Sequence, residues 1–491
     1  MLNYLSWEGI QAGLFHRKRW VRGLTLFALC LVATVPVGAT IGLLGALYGG
    51  GLLIALATAY VMLRVPLSGL VVLVGVICLL PFAALPFNIG FTPTILDLVL
   101  IGLFFVWVCR VAMHKDGDFM ADSPTGAVLV FLGLSVVSFI AGLSHAALTA
   151  NVIRHFAEIL MSVTLFVLVI NSVRTVKQLQ IVVVALIAGG FIAALVGIVL
   201  YYLPTTLTVR ILSALSRFGY PTGSEVLRYV EDNTDLALRA TSTSVDPNVL
   251  GGMLIFASVL TTAQALARKP IIPRGWLFAA LGTMMLCMLL TYSRGSFLGL
   301  LAALFFLAVL RYPRLLLIGL LLVVLIAVLP FTRYYVEHMM EAFLMEDLAT
   351  QMRLGEYKDA FILIGRYPWF GVGFAGTPDI DTYIGVSSVY LLIGEEMGMV
   401  GLTSFIVTAL IFLVNFFKAQ ARCLRDSMLD PLLLGTCLAV LGALVGGLVD
   451  HYLFNLDFPH AAALLWLTMG LGTVSMRLAL AERRATPTIS S

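Results

Sequence analysis

Five isolated arginines stand beside apolar runs or in the polar stretches between them. Arg239 lies in Leu238-Arg239-Ala240-Thr241-Ser242-Thr243-Ser244-Val245-Asp246-Pro247-Asn248, just ahead of an apolar run. Arg294 lies in Thr291-Tyr292-Ser293-Arg294-Gly295-Ser296, a polar break between two apolar runs. Arg353 lies within an amphipathic stretch, Tyr335 to Ile364, Arg366 just follows it, and Arg154 opens another apolar run. A guanidinium is a planar fork that binds phosphate bidentately, so several converging arginines suit a pyrophosphate. Asp450-His451, in a short turn between two late apolar runs, could orient such an arginine or handle a proton. Asp246-Pro247 also reads as a capped helix start. Arg294 has a plainer reading too, a side chain snorkelling at an interface. Glu395-Glu396, inside an apolar run, are costly and call for partners, for which the arginines are candidates. Tyr367 and Trp369 read as interface anchors, His460 as a structural histidine, and Gly371-x-Gly373 alone is weak evidence for a phosphate loop.

These residues are set in a chain of 491 residues, 60% hydrophobic and 11% charged. Soluble domains carry roughly 25% charged residues, so this chain must use lipid as solvent. A membrane helix needs about 20 apolar residues. About fourteen runs qualify, near 21–39, 43–63, 68–88, 93–113, 125–145, 153–171, 178–202, 247–267, 275–292, 295–311, 313–331, 386–416, 431–449 and 459–476. The run at 386–416 is long enough to contain a break. The expected fold is all-α: one polytopic bundle over 1–491 with about 12–14 spans. Threading the spans from a cytoplasmic N-terminus puts 20 of the 30 Lys and Arg, but only 7 of the 26 Asp and Glu, on the cytoplasmic side. Both termini are then cytoplasmic. Two long, partly helical loops, 203–246 and 332–385, fall outside with the informative arginines. Five of the six cysteines sit in apolar runs and Cys423 in a basic loop, so no disulfide framework is expected. No Cys/His cluster has zinc spacing. Asp379-Ile380-Asp381 is an exterior Asp-x-Asp, read as solvated turn residues. The scattered basic residues give no support for nucleic-acid binding.

Over roughly 150–475 the chain resembles the O-antigen ligase and O-antigen polymerase superfamily of bacterial membrane glycan enzymes. The resemblance rests on the order of Arg239 with Asp246-Pro247-Asn248, Ser293-Arg294-Gly295, Arg353 before Pro368-Trp369-Phe370-Gly371-Val372-Gly373, Tyr390-Leu391 with Glu396-x-Gly398-x-x-Gly401-Leu402, and Gly446-Gly447 with Asp450. It implies a multi-pass protein of the bacterial inner membrane that performs metal-independent glycosyl transfer outside the cytoplasm. The donor would be a glycan on undecaprenyl pyrophosphate, the acceptor a hydroxyl, the product an O-antigen or exopolysaccharide, and no cofactor is needed. Under it, Arg239, Arg294, Asp450 and His451 are the expected catalytic residues. Arg154, Asn248, Arg353, Arg366, Tyr390 and Glu396 are the expected substrate-binding residues. Many members carry His-Asn ahead of Tyr-Leu, with the His thought of as the base. Here Ser387-Ser388 occupies that place. Serine cannot serve as a base at neutral pH, leaving His451 or Glu396 as candidates, or no base at all.

Two other readings use the same residues. A transporter would suit the span count and the buried Glu395 and Glu396, though no internal repeat is visible. A non-catalytic partner in a glycan assembly system would suit the missing His. Polymerase and ligase share these motifs.

Overall fold

The computed structural model describes residues 18–85, 88, 90–113, 118–317, 319, 321, 348–376, 386–425 and 427–485. The chain is an all-α polytopic bundle. Among the described residues nine helices are long and apolar enough to cross a membrane. Three shorter apolar helices, Gly49–Arg64, Pro66–Leu79 and Arg294–Leu310, accompany them. The expected run at 313–331 and the Asp379–Asp381 pair fall largely or wholly outside the described residues.

The chain divides into two compact units, 1–68 and 69–491. In the first, α1 (Arg19–Arg64) joins the two expected runs at 21–39 and 43–63, and Gly45, at φ 79°, interrupts its helical geometry.

The second unit holds every candidate site residue. It runs through α2 (Pro66–Leu79), α3 (Ile95–Ala112), α4 (Ser123–Gly142), α5 (Ala150–Ser172), α6 (Val176–Tyr202) and the short α7 (Thr205–Ala214). After a two-stranded ribbon come α8 (Pro247–Leu266), α9 (Arg274–Thr291), α10 (Arg294–Leu310), α11 (Leu348–Arg366), α12 (Val389–Arg422), α13 (Leu429–Gly446) and α14 (Pro459–Ala485). Most residues of α8, α13 and α14 are buried, whereas only a third of α3, α4 and α12 are. The former group is the core; the latter turn large side chains such as Ile101, Phe105, Val130 and Ile140 outward, as lipid contact requires. α13 packs along α8 and α10, α14 along α5, and α12 along α4.

Glycines set the closest approach. A Cβ on Gly299 of α10 would fall 2.4 Å from the Gly442 carbonyl of α13. A Cβ on Gly446 would fall 3.1 Å from the Gly295 carbonyl. Small residues four apart on both helices let the backbones touch, the usual device for helix association in lipid. This seam brings the start of α10 onto the end of α13.

The two ends of this bundle differ in chemistry. At one end Arg311 pairs with Asp430 at 3.0 Å, and Arg477 with Asp122 at 3.0 Å. Arg477 also donates to the last carbonyls of α5, Ile170 and Val173. The opposite end gathers the starts of α8, α10, α12 and α14 with the ends of α9 and α13.

Candidate functional site

The site begins with the ribbon. β1 (Arg228–Tyr229) pairs antiparallel with β2 (Leu238–Arg239). The Ala240 amide then donates to the Leu290 carbonyl at 2.8 Å, laying the ribbon against the end of α9. Arg239 is thereby fixed at both ends of its guanidinium. Nε donates to the Thr291 carbonyl at 2.8 Å, and Nη2 donates to Asn248 Oδ1 at 2.7 Å. Burial pushes its pKa down, while Asp246 and Asp450 pull it up, so the two carboxylates hold the cation in place.

Asp246 has two tasks. It caps α8, with Oδ1 accepting from the Asn248 and Val249 amides at 2.7 and 3.0 Å, and Pro247 fills the first helical turn. It also sets a negative charge beside Arg239. The backbone leading to it is strained: Ser242 at φ 53° and Val245 at φ 59° lie in the left-handed region. For a β-branched residue that conformation is unusual and is sustained only by its surroundings.

Arg294 follows three residues after the carbonyl that anchors Arg239. Tyr292, at φ 50°, ends α9, and Ser293 caps α10 through the Ser296 amide and hydroxyl. Arg294 therefore stands at the amino end of α10, where unpaired backbone amides favour an anion. Gly295 beside it allows close packing against Asp450.

Asp450 is 3% exposed. Its Oδ1 accepts from the His451 amide at 3.0 Å, and its carbonyl accepts from the Val389 amide at 3.0 Å. Among the described residues its buried Oδ2 has no hydrogen-bond partner. Burial pushes this carboxyl above its usual range, opposed by the charges of His451 and Arg353. The His451 ring is partly exposed, with Nδ1 3.7 Å from Asp450 Oδ1. Arg353, on α11, acts electrostatically on both Asp450 and Arg239. Arg239, Asn248, Arg294, Arg353, Asp450 and His451 therefore share one polar region at one end of the bundle.

The other expected residues lie elsewhere. Arg154 donates to the Thr92 carbonyl and pairs with buried Glu158 at 3.5 Å, next to His155. That is a separate cluster on α5. Arg366 is exposed in the last turn of α11, roughly 20 Å along the axis from Arg353 at 1.5 Å per residue. The Tyr390 hydroxyl donates to the Leu444 carbonyl at 2.9 Å, which ties α12 to α13. Glu395 and Glu396 are buried in α12 at 1% and 5% exposure. Among the described residues neither Glu395 oxygen meets a hydrogen-bond donor, so no arginine pairs with it there. Their setting is a helix break. Gly398, at φ 65°, interrupts α12, and the Glu395 and Glu396 carbonyls accept instead from the Val372 and Gly373 amides at 2.8 and 3.0 Å.

Two residues absent from the sequence reading enter here. Glu356 Oε2 accepts from the Ser387 amide at 2.9 Å and from its hydroxyl at 2.7 Å. The Tyr357 hydroxyl donates to the Ser387 carbonyl at 3.1 Å. The only available signal was spacing: Arg353, Glu356 and Tyr357 fall at i, i+3 and i+4 on one helix face.

Residues 278–406 match the family model described as O-antigen ligase. This stretch is similar to the O-antigen ligase family, which supports the resemblance carried by the motifs. A search of curated proteins finds no match. The matched stretch contains Arg294, Arg353, Arg366, Tyr390 and Glu396, together with Glu356 and Ser387. Arg239, Asn248, Asp450 and His451 lie outside its bounds but are bonded or packed onto it, through Thr291 and Val389. Three half-buried arginines, of which Arg239 and Arg353 have carboxylates beside them, are equipped to stabilise negative charge that develops on a phosphate.

Proposed function

We propose that the protein transfers a glycan from an undecaprenyl-pyrophosphate carrier to an acceptor hydroxyl, polymerising or ligating a cell-surface polysaccharide. The reaction takes place on the non-cytoplasmic face of the bacterial inner membrane. The acceptor oxygen attacks the anomeric carbon as the bond to pyrophosphate breaks, and charge accumulates on the leaving group. Cations held ready at that position lower the barrier, and no metal is required for the step. The observation that carries this reading is Arg239, locked by Asn248 and by Thr291, itself three residues before Arg294, and within electrostatic reach of Arg353. Arg294 and Arg353 complete the cradle for the two phosphates. Asp450 holds the arginines in orientation.

Arg239→Ala and Arg294→Ala should each lower transfer by about 10²–10³-fold, the usual effect of removing one preorganised donor. Both should remain in the membrane at normal abundance, and the wild-type rate should survive EDTA. Unchanged product length and yield in both variants would overturn the reading.

Transport has one observation in its favour, the buried carboxylates Glu395 and Glu396 beside a broken helix. The loop 370–373 fills that break with its own backbone, as Gly371 shows: a Cβ there would fall 2.3 Å from the Glu395 carbonyl. Ion-coupled solute uptake by reconstituted vesicles would favour transport instead.

A further inference from the structure

A glycosyl transfer must place the proton of the acceptor hydroxyl somewhere, and Ser387 cannot take it. We propose that Glu356, held in position by Ser387, is the group that accepts this proton; the proposal rests on the glycosyl-transfer reading above.

Asp246, Asp450 and Glu356 border the site, and the first two are occupied otherwise. Asp246 spends Oδ1 on two amides of the α8 cap and its charge on Arg239. Asp450 is sealed from solvent, 3% exposed, between the end of α13 and the start of α12. Glu356 is half-buried. Both donors of Ser387 go to Oε2, and among the described residues no hydrogen bond reaches Oε1. One oxygen fixes the orientation and the other is available to a hydroxyl, the arrangement a general base requires.

Ser387 is the positioning residue. Its amide and hydroxyl hold Glu356, while its carbonyl accepts from Tyr357 one residue further along α11. Two residues later the Val389 amide donates to the carbonyls of Gly447 and Asp450, at 2.9 and 3.0 Å. Glu356 is therefore held in register with the Asp450 turn and, through it, with Arg239. Arg353 lies one turn earlier on the same helix. A single face of α11 thus presents a cation for the departing pyrophosphate and a carboxylate for the arriving hydroxyl, with Cβ atoms about 5–6 Å apart.

The step balances. The acceptor oxygen forms a bond to the anomeric carbon, and the bond from that carbon to the pyrophosphate oxygen breaks, its electron pair leaving with the pyrophosphate. The hydroxyl proton passes to Glu356 Oε1 and from there to water.

The test uses the full chain in membranes, supplied with lipid-pyrophosphate glycan extracted from producing cells. Glycan transfer and lipid pyrophosphate release are followed against pH. Arg353, Tyr357 and Asp359 on α11 and Glu395 on α12 are the titratable or charged neighbours of Glu356, and Asp450 on the α13 turn acts on Tyr357 beside it. Glu356→Gln should lose about 10²-fold in rate, together with the acid limb of the pH profile. Glu356→Asp should restore part of the rate and a displaced acid limb. Ser387→Ala should lower kcat more than it raises KM. A wild-type rate and acid limb in Glu356→Gln would overturn the proposal. If that variant fails to accumulate, Glu356→Asp decides: a displaced acid limb supports the assignment and an unmoved one overturns it. Arg239→Ala, assayed in parallel, separates the two levels. Loss in Arg239→Ala with none in Glu356→Gln removes only the base; loss in neither removes the transfer reading itself.

Discussion

Asp450 carries a cost that its neighbours only partly offset. Burial raises its carboxyl above the ordinary value of 3.8, and the pull of His451 and Arg353 leaves the net shift upward. The folded protein therefore holds this proton more tightly than the unfolded chain. That contribution to stability is fully present below 3.8 and is lost as pH rises through the elevated native value. At neutral pH, Asp450→Asn, which removes the charge and keeps the shape, should raise the melting temperature in detergent. The same change removes one of the counter-charges beside Arg239 and Arg353, and transfer should fall by about 10²-fold through misplacement of the cations. A variant both less stable and fully active would contradict this account. The residue level also shows what is legible in the sequence. Arg239, Arg294 and Asp450 stood out because a charge at a membrane edge is expensive wherever it falls. Glu356 did not. On an amphipathic helix a glutamate needs no explanation, and what gives this one a role is Ser387, 31 positions away.

At the scale of elements, the Pro368–Gly373 turn and the Glu395–Gly398 stretch are two halves of one joint. The Met399 amide donates to the Pro368 carbonyl at 2.7 Å, and the Ser138 hydroxyl of α4 donates to the carbonyls of both Phe370 and Glu396. Each backbone group freed by the break in α12 must find a partner, because buried unpaired amides are costly. The glycines are there to let backbone meet backbone. A Cβ on Gly398 would fall 2.4 Å from the Trp369 carbonyl, and its φ of 65° already disfavours a side chain. Gly398→Ala should cost about 2–4 kcal/mol in thermal or denaturant unfolding. Gly282→Ala, whose Cβ meets nothing within 4 Å inside α9, should be neutral or slightly stabilising. Equal effects at the two positions would show that the joint is not under this constraint. The glycine spacing was readable beforehand, but its purpose was not. A Gly-x-Gly that admits another backbone has the same pattern as one that admits a phosphate, and the partner is 23 or more residues away in the chain.

Over the molecule as a whole, the two polar ends of the second unit follow different rules. One end is stapled by charge pairs, Arg311 with Asp430 and Arg477 with Asp122, and collects the basic residues of short connections such as Arg268 and Lys269. At the opposite end Arg239 is instead fixed by the Thr291 carbonyl and the Asn248 side-chain amide. Counting Lys and Arg along the sequence separated these ends, since positive charge sorts short loops by side. It did not foresee the ribbon, because two strands of two residues leave almost no periodic signal, and Arg239 depends on that ribbon for its position. The sorting predicts which end faces the cytoplasm. In a background with the native cysteines replaced, Glu225→Cys, exposed on the loop ahead of the ribbon, should react in intact inner-membrane spheroplasts with a membrane-impermeant maleimide. Lys269→Cys, exposed at the other end, should react only after permeabilisation. The reverse pattern would put the arginine site in the cytoplasm, where nucleotide-activated donors are at hand and a lipid-pyrophosphate donor loses its advantage. The labelling side therefore tests the substrate class as well as the topology.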